Sequence, residues 1–151
     1  MITICLRYTK NEEDAVEVLN NGFLKVFKNI QRYEPAQASL YTWIRTIVVR
    51  SCLDHIRSKQ RMVPHEELLP ETEVHIPASV IGSMKAADIL ALVRGLPPAT
   101  GAVFNLYAIE GYSHKEIGTL LNISEGTSKW HLSTARKALQ RAIEREDIKQ
   151  E

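Results

Sequence analysis

The sequence lacks most features that mark secreted, membrane-embedded or disulfide-rich proteins. Its 151 residues include only two cysteines, Cys5 and Cys52, too few for a disulfide framework, so both are expected to be reduced thiols. No apolar run approaches the roughly 20 residues that a membrane helix needs. Residues 1–7 lack the basic region, long apolar stretch and cleavage site of a signal peptide. The sequence therefore predicts a cytoplasmic protein without membrane insertion.

Patterns typical of catalytic and cofactor sites are also missing. No glycine-rich loop that cradles a phosphate is present. The carboxylates at residues 12–14 and 66–67 have no histidine or glycine-rich loop to complete a catalytic set. Cys52 and His55 have the spacing of two metal ligands, but no second ligand pair follows. We expect neither enzymatic activity nor a cofactor or metal ion.

Charge of one sign is not in excess, since the formal net charge is only +1. The distribution of charge is more informative. Residues 62–82 hold four glutamates and three prolines but no lysine or arginine, which predicts an acidic linker between domains at 1–61 and 83–151. Such a stretch is usually only solvated; the alternative is that it mimics nucleic acid in a basic channel.

Helical periodicity dominates on both sides of this linker, and no segment shows the two-residue alternation of a strand. Asn11 and Asp14 predict a helix start, and a second helix is predicted from Ser39 to about Lys59. The first of these helices is expected to turn one apolar face inward, formed by Val16, Leu19, Phe23, Val26, Phe27 and Ile30. Past the linker, helices are predicted over 86–96 and 98–110, the latter with Val103, Phe104 and Tyr107 inward and Gly111 as its stop. The predicted fold class is all-α, with two small helical domains.

The most informative stretch is residues 111–139. Ser113 and Glu116 have the capping-box pattern that begins a helix. Gly118 is expected to allow another helix to approach closely. Asn122 stands where the chain must turn, because Asn tolerates the left-handed conformation better than most residues, and Ser124 caps the next helix. The inward residues of that helix are predicted to be Ser128, Leu132, Ala135 and Leu139. Two short helices joined by a tight turn form a helix-turn-helix.

The second helix of this motif is locally basic. Between residues 126 and 141 there are four cations and no acid. These cations are Lys129, Arg136, Lys137 and Arg141. Such a surface attracts phosphates. Taken alone, an amphipathic helix pair with a solvated basic face is the competing interpretation.

A second basic segment lies before the linker. Residues 40–62 carry five cations against the single acid Asp54, and Tyr33, Tyr41 and Trp43 lie close to this charge in the sequence. Leu40, Trp43, Ile44, Ile47 and Val48 share one face of the predicted helix. Cations beside aromatic rings suit a single strand or unstacked bases. The competing interpretation is that the aromatic residues belong to the core and the charges are solvated.

Taken in order, these segments resemble an extracytoplasmic-function (ECF) sigma factor of bacterial RNA polymerase, a member of the sigma-70 family. The residues that carry the resemblance are 13–19, 23–27, 39–57, 96–98, 103–107 and 111–139. They cover most of the chain outside the linker. Members of this family begin with about one more helix before the residues matching 2–8, so the sequence is expected to lack the first helix of its N-terminal domain.

The resemblance implies that the N-terminal domain is a sigma region 2. Binding to the clamp helices of the largest polymerase subunit would involve Asp14, Glu17, Asn20, Asn21 and Lys25. Recognition of the −10 element and of its melted strand would involve Tyr33, Gln37, Ser39, Tyr41, Arg50, Arg57 and Arg61. The acidic linker would thread through the polymerase towards the RNA exit path.

The same resemblance implies that the C-terminal domain is a winged-helix-like, helix-turn-helix sigma region 4. It would bind the flap of the second-largest polymerase subunit and the −35 element of double-stranded promoter DNA. Base-facing positions would be Lys129, Trp130, Ser133 and Thr134, with Thr127 and His131 beside them. Phosphate contacts would come from His114, Lys115, Arg136 and Lys137. An anti-sigma factor is a further expected partner.

Two other functions stay open at this point. A stand-alone helix-turn-helix transcriptional regulator would explain the C-terminal motif, but it would not explain the aromatic and basic helix before the linker. A degenerate sigma-like module that binds only an anti-sigma factor would also fit the short N-terminus.

Overall fold

A computed structural model of the protein describes residues 1–59 and 86–150, and in the second range the side chains of residues 88–144. The chain divides into two compact units, with the division between Val63 and Pro64. All regular structure in the described residues is helical, which confirms the all-α prediction. The predicted linker at 62–82 and Arg61 lie outside the described residues.

The described part of the first unit, residues 1–59, contains three α-helices. Helix α1 spans Ile2–Tyr8, α2 spans Glu12–Asn29 and α3 spans Leu40–Lys59. A short 3-10 helix, Ile30–Arg32, continues α2. The predicted start of α2 is confirmed, because the Asn11 side chain accepts a hydrogen bond from the Asp14 backbone N–H at 2.7 Å.

The core of the first unit contradicts part of the predicted apolar face of α2, in which Leu19 and Phe23 are half-buried. Val26 is buried as expected, but Val16 and Ile30 are exposed and the Phe27 side chain is 71% exposed. The buried face is formed instead by smaller residues, Ala15, Val18, Gly22 and Val26. A Cβ added at Gly22 would lie 3.3 Å from Val48 Cγ2 of α3. Helix α2 therefore buries small residues because it approaches α3 too closely for large ones.

Helix α3 buries its C-terminal half. Of the predicted face, Val48 is fully buried, whereas Leu40 is 44% exposed. The buried residues are Val48, Val49, Ser51, Cys52, Leu53 and Ile56. Cys5 and Cys52 are buried free thiols, and a hydrogen bond from Cys52 lowers the pKa of Cys5. The first unit is thus held together by the C-terminal half of α3, and the N-terminal half is left more accessible.

The second unit, from residue 86 onward, also consists mainly of helices. Helix α4 spans Ala86–Gly95, α5 spans Pro98–Phe104, α6 spans His114–Leu121 and α7 spans Glu125–Gln150. Its core includes a cluster of Val93, Leu96, Ala135 and Leu139, packed against Leu92, Phe104 and Ala138. Helix α7 thereby supplies one wall of the core along much of its described length.

One turn of this unit was not anticipated from the sequence. Helix α5 continues into a π-helical turn, Asn105–Ile109, in which the Glu110 N–H donates to the Asn105 carbonyl at 2.9 Å. The wider turn changes the helical register, so Leu106 is fully buried whereas Tyr107, predicted to face inward, is 36% exposed. Gly111 then ends the segment at φ +80°, as predicted.

Candidate DNA-binding surfaces

The helix-turn-helix is capped at both helix starts. The Ser113 Oγ accepts from the Glu116 N–H at 3.3 Å, and the Ser113 N–H donates to Glu116 Oε2 at 2.8 Å. The Ser113 hydroxyl also donates to Glu116 Oε2 at 2.7 Å. This bond, followed by the one from the Ser113 N–H, lowers the pKa of the Glu116 carboxyl. At the start of α7, the Ser124 Oγ accepts from the Thr127 N–H at 2.9 Å. Both predicted caps are confirmed.

The turn between α6 and α7 is fixed by two residues. Asn122 has φ 55° and ψ 48°, the left-handed conformation predicted for it. A Cβ added at Gly118 would lie 2.9 Å from the Ile123 carbonyl oxygen, and that residue's N–H donates to the Gly118 carbonyl at 3.0 Å. Gly118 therefore admits the backbone of the turn, not a second helix as the sequence indicated.

The inward face of α7 is the predicted one. Ser128 and Ala135 are fully buried, and Leu132 and Leu139 are nearly so. Two histidines tie this face to its neighbours. His131 Nδ1 lies 3.0 Å from Thr100 Oγ1 of α5, and His114 Nδ1 of α6 lies 2.9 Å from Ser128 Oγ.

Three residues that were predicted to contact DNA instead contact other residues of the second unit. Thr127 and His131 are buried, at 4% and 9% exposed, and Thr127 Oγ1 lies 2.8 Å from Ser124 Oγ, so we correct their predicted place on the DNA surface. The half-buried His114 ring stacks on Tyr107 with ring centroids 4.5 Å apart. Sequence reasoning missed these histidine contacts because each joins residues distant in the sequence.

The remaining predicted −35 residues are accessible. Lys115 and Lys129 are exposed, and the rest are partly buried, namely Trp130, Ser133, Thr134, Arg136 and Lys137. Lys129 Nζ lies 3.5 Å from Glu125 Oε1, one helical turn earlier. Most of the predicted −35 set thus shares the accessible side of α7, with one acidic residue that the sequence analysis did not single out.

Four of the predicted −10 residues lie just before or in the first turn of α3, namely Tyr33, Gln37, Ser39 and Tyr41, whereas Arg50 and Arg57 lie further along this helix. Ser39 Oγ accepts from the Thr42 N–H at 3.2 Å and so caps this helix. The Tyr33 hydroxyl donates to the Ala38 carbonyl at 3.1 Å, and its ring lies 5.5 Å from that of Trp43. Tyr33 therefore shapes the loop between α2 and α3.

The other residues predicted to bind the −10 element differ in solvent exposure and in the contacts that they make. Tyr41 is 61% exposed, and Arg50 and Gln37 are exposed too. The Gln37 amide donates to Glu34, while Arg57 Nη1 lies 3.0 Å from the Asp54 carboxylate. Tyr41 and Arg50 are thus both exposed on α3, Tyr41 in its first turn and Arg50 about halfway along it.

The predicted polymerase-binding residues fall into two groups. Lys59 Nζ donates to Asp14 Oδ1 at 2.7 Å, and Lys25 Nζ lies 2.9 Å from Asp54 Oδ2, so Asp14 and Lys25 link α2 to α3. The hydrogen bond from Lys59 is the main cause that lowers the pKa of Asp14. The second group, Glu17, Asn20 and Asn21, is exposed on α2.

Further features common in other classes of protein are absent from the part of the chain that the structure describes. No helix there is both long and apolar enough to cross a membrane. Within the same residues, no group of three or more histidine, cysteine or acidic side chains is arranged to hold a metal ion.

The chain thus combines a helix-turn-helix unit whose outer face is basic with a separate helical unit that exposes Tyr41 and Arg50, a combination typical of DNA-binding proteins. Residues 1–62 match the family model of Sigma-70 region 2, and residues 86–139 match that of Sigma-70 region 4. Together these matches cover well over half of the chain. The chain therefore belongs to the sigma-70 family of RNA polymerase sigma factors, whose members are transcription initiation factors.

Individual relatives agree with this assignment. The chain is 30% identical over 143 residues to the ECF RNA polymerase sigma factor SigE of Mycolicibacterium smegmatis, covering 90% of this chain and 54% of that protein. It is 24% identical over 152 residues to the ECF RNA polymerase sigma factor SigW of Bacillus subtilis, covering 93% and 81%. The chain thus spans about half the length of the first relative and most of the second.

The fold is similar to a solved sigma factor structure. That structure is the sigma factor RpoE in complex with the anti-sigma factor NepR from Bartonella quintana, and it superposes with a TM-score of 0.60 at 19% identity. The match covers 93% of this chain and 87% of that chain.

Proposed function

We propose that this chain directs promoter-specific transcription initiation by binding core RNA polymerase and the −35 and −10 promoter elements. The main support for this proposal is that the basic side of α7, the second helix of the helix-turn-helix, is accessible to solvent. Its other side is sealed into the core by Leu132, Ala135 and Leu139. The protein would act in the cytoplasm, where its polymerase and promoters are.

The −35 element would be read by the accessible side of α7. In helix-turn-helix proteins, N-terminal residues of the second helix meet base edges in the major groove. Lys129 and Trp130 lie in the first two turns of α7, and Ser133 and Thr134 follow one turn later. Base contacts are proposed for these four, and phosphate contacts for Lys115, Arg136 and Lys137. His114 would not contact DNA directly but would hold α6 against α7 through its hydrogen bond with Ser128 Oγ.

The −10 element would be held by the N-terminal half of α3 and the loop before it. Tyr41 presents a largely exposed ring, on which an unstacked base can stack. Arg50 lies further along the same helix and is exposed, so it suits a phosphate or a base edge. Tyr33 and Trp43 would hold the loop in shape beside them.

Polymerase would dock on the exposed face of α2. Val16, Leu24, Phe27 and Ile30 are large apolar residues exposed on or directly after this helix, and Asn20 and Asn21 lie among them in the sequence. Contiguous exposed apolar surface marks protein interaction sites. This surface is proposed for the largest polymerase subunit, and the second unit for the flap of the second-largest. An anti-sigma factor is proposed as a further partner because the Bartonella relative is bound by one.

The proposal is tested by adding the full chain to core RNA polymerase and measuring run-off transcription from a promoter library. Specific initiation is expected only when both are present. Phe27→Ser is expected to weaken core binding without unfolding the chain, because this side chain is mostly solvent-exposed. Lys28→Ser, an exposed change at the adjacent position, serves as the control and should leave core binding unchanged.

Two outcomes would favour the alternatives. Tight binding to promoter duplex without core polymerase would support a stand-alone regulator. Failure of the wild-type chain to bind core polymerase at all would contradict the proposal. The remaining alternative would then be a sigma-like module that binds only an anti-sigma factor.

A further inference from the structure

Two buried thiols meet in the core of the first unit. Cys5 lies in α1 and Cys52 lies in α3, and both side chains are fully buried. Both are free thiols, and helices α1 and α3 pack directly against each other. A hydrogen bond joins the side chains of Cys52 and Cys5. The two sulfur atoms are therefore neighbours in space, although the residues lie far apart in the sequence.

Packing alone is an incomplete account of this pair. A buried cysteine can act simply as a small apolar residue, and the core positions beside Cys52 are filled by such residues, among them Val49 and Leu53. Apolar packing does not require the two thiols to meet, whereas a disulfide requires side chains that point at each other. The direct hydrogen bond between the thiols meets this requirement. The fold thus holds the pair in an arrangement from which a bond between the sulfurs can form.

The hydrogen bond also affects the reactivity of Cys5. It is the main cause that lowers the pKa of this thiol, against the opposing effect of burial. The thiolate is the form of cysteine that attacks an oxidant. Cys5 is therefore the thiol that reacts first, and Cys52 is the neighbour that can react with its product.

An oxidant can reach the pair when α1 opens locally. This helix has seven residues and no side-chain hydrogen bond that caps its start. In its first turn, the Cys5 N–H donates to the Met1 carbonyl over a long distance of 3.4 Å. A short helix with few such bonds opens at a lower cost than a whole domain unfolds. Opening of α1 would expose the thiols while the other helices of the unit stay folded.

We infer that Cys5 and Cys52 form a site of reversible oxidation, at which hydrogen peroxide converts the two thiols into an intramolecular disulfide that joins α1 to α3. This inference goes beyond the proposed function and does not rest on it. The site would take a peroxide as its oxidant and a dithiol as its reductant.

The reaction proceeds in two steps. The Cys5 thiolate attacks one peroxide oxygen and the O–O bond breaks, which leaves a sulfenic acid on Cys5 and releases the other oxygen as water after it takes up a proton. The Cys52 thiolate then attacks the Cys5 sulfur, so that the S–S bond forms and the S–O bond breaks, and a second water leaves with a proton. Two electrons pass from the two sulfurs to the peroxide.

The second thiol protects the core from irreversible damage. A sulfenic acid without a neighbouring thiol is oxidised further to a sulfinic acid, which ordinary thiol reductants do not reverse. A sulfinic acid would also place a charged group in the apolar core, where burial of an unpaired charge is costly. Capture by Cys52 stops the oxidation at a disulfide, which a dithiol can reduce.

The test treats the folded full chain with hydrogen peroxide and maps its cysteines by mass spectrometry without reductant. The wild type is expected to lose both thiols together, to lose the mass of two hydrogen atoms, and to give a peptide pair linked through Cys5 and Cys52. Dithiothreitol should restore both thiols. Cys52→Ala should instead give a Cys5 sulfenic acid that dimedone traps and then a sulfinic acid, so that dithiothreitol no longer restores the Cys5 thiol.

Ser51→Ala is the matched control, because it changes the adjacent buried residue of α3 and keeps both thiols; its disulfide should form as in the wild type. Circular dichroism before oxidation checks that each variant is folded, and if Cys52→Ala is not, the wild-type peptide map decides alone. Wild-type thiols that stay free, disulfides that join two chains, or linkage that forms only in urea would each overturn the inference.

These outcomes are independent of the proposed function. A chain that forms no disulfide could still direct transcription with core polymerase, and a chain that fails in transcription could still form the disulfide. The two failures are therefore distinguishable.

Discussion

At the scale of single residues, the turn between α6 and α7 depends on the absence of a side chain at Gly118. The Ile123 carbonyl occupies the space that any other side chain would need, and this oxygen belongs to backbone that cannot rotate away. The same turn requires Asn122 to adopt a positive φ. The geometry between the two helices is therefore set by two residues with special backbone properties, and the apolar residues around them only support it.

Gly118→Ala should destabilise the second unit by about 1–3 kcal/mol, because the new methyl group would force the turn backbone to move. Gly126→Ala is the matched comparison, since a Cβ there would make only an ordinary contact with Ser124 Oγ at 3.7 Å. It should be neutral or stabilise by up to about 1 kcal/mol, as alanine favours helix. Urea unfolding followed by Trp130 fluorescence, in a Trp43→Phe background, measures both. Equal effects of the two substitutions would contradict this account of the turn.

Residue-level prediction from the sequence worked where the chemistry is local. The caps at Asn11, Ser113 and Ser124 and the left-handed Asn122 involve atoms within four residues of one another, so their patterns are visible in the sequence. The contact between His131 and Thr100 is not of this kind, because it joins residues 31 positions apart. That is why His131 was predicted to face DNA although it is buried.

At the scale of helices, α2 and α3 are joined by ion pairs as well as by close packing. Lys59 and His55 of α3 both approach the Asp14 carboxylate, at 2.7 Å and 3.8 Å. The pKa of Asp14 is held below its usual range, chiefly by the hydrogen bond from Lys59. The exposed face of α2 is therefore positioned by charges on its opposite side as well as by Gly22.

The first unit should lose part of its stability in acid through Asp14. Its pKa is lower folded than unfolded, so the stabilisation is complete above the unfolded value of about 3.9 and is lost as pH falls through the folded value. Asp14→Asn should therefore show a smaller decrease in Tm between about pH 6 and about pH 3 than the wild type. Circular dichroism measures this decrease.

Glu12→Gln changes an exposed acid in the same helical turn and is the control for this experiment. It should follow the wild-type pH dependence closely. A pH dependence of Asp14→Asn identical to that of the wild type would show that this ion pair does not stabilise the unit. Added salt should narrow the difference between the two proteins, because Lys59 is largely solvent-exposed and exposed pairs are screened.

The α2 helix also shows where periodicity misleads. Its large apolar residues recur at helical spacing, which predicted that they face the core. The close approach of α3 selects small residues for the core side and leaves Phe27 and Leu24 exposed. Periodicity reports that a helix has an apolar face, but it does not report whether that face meets its own domain or another protein.

At the scale of the whole molecule, the near-neutral charge conceals two local basic regions. Neither is visible in the net charge of +1, because the acidic stretch at 62–82 and acidic residues elsewhere in the chain together offset them. The order of the segments predicted the family from the sequence, and the matches to regions 2 and 4 confirm it. The domain limits stay a prediction, since the stretch between them is outside the described residues.

Binding experiments should distinguish residues that contact bases from residues that contact phosphates. Lys129→Ala is expected to change −35 preference by about 1–3 kcal/mol, because it removes a base-edge donor. Arg136→Ala should weaken binding to all sequences similarly and reduce the slope of log affinity against log salt by about 1. Titrations of promoter variants with the polymerase complex at several salt concentrations measure both effects. Equal and sequence-independent losses for the two variants would contradict the assigned roles.

The division of α7 into a sealed side and an accessible side has an evolutionary consequence. Residues that fix the fold of this helix, such as Ser128 and Leu132, are buried, while Glu125, Lys129 and Arg136 keep accessible side chains. Substitutions on the accessible side therefore carry little cost in stability. After a gene duplication, two copies can acquire different promoter preferences through such substitutions while keeping the same scaffold.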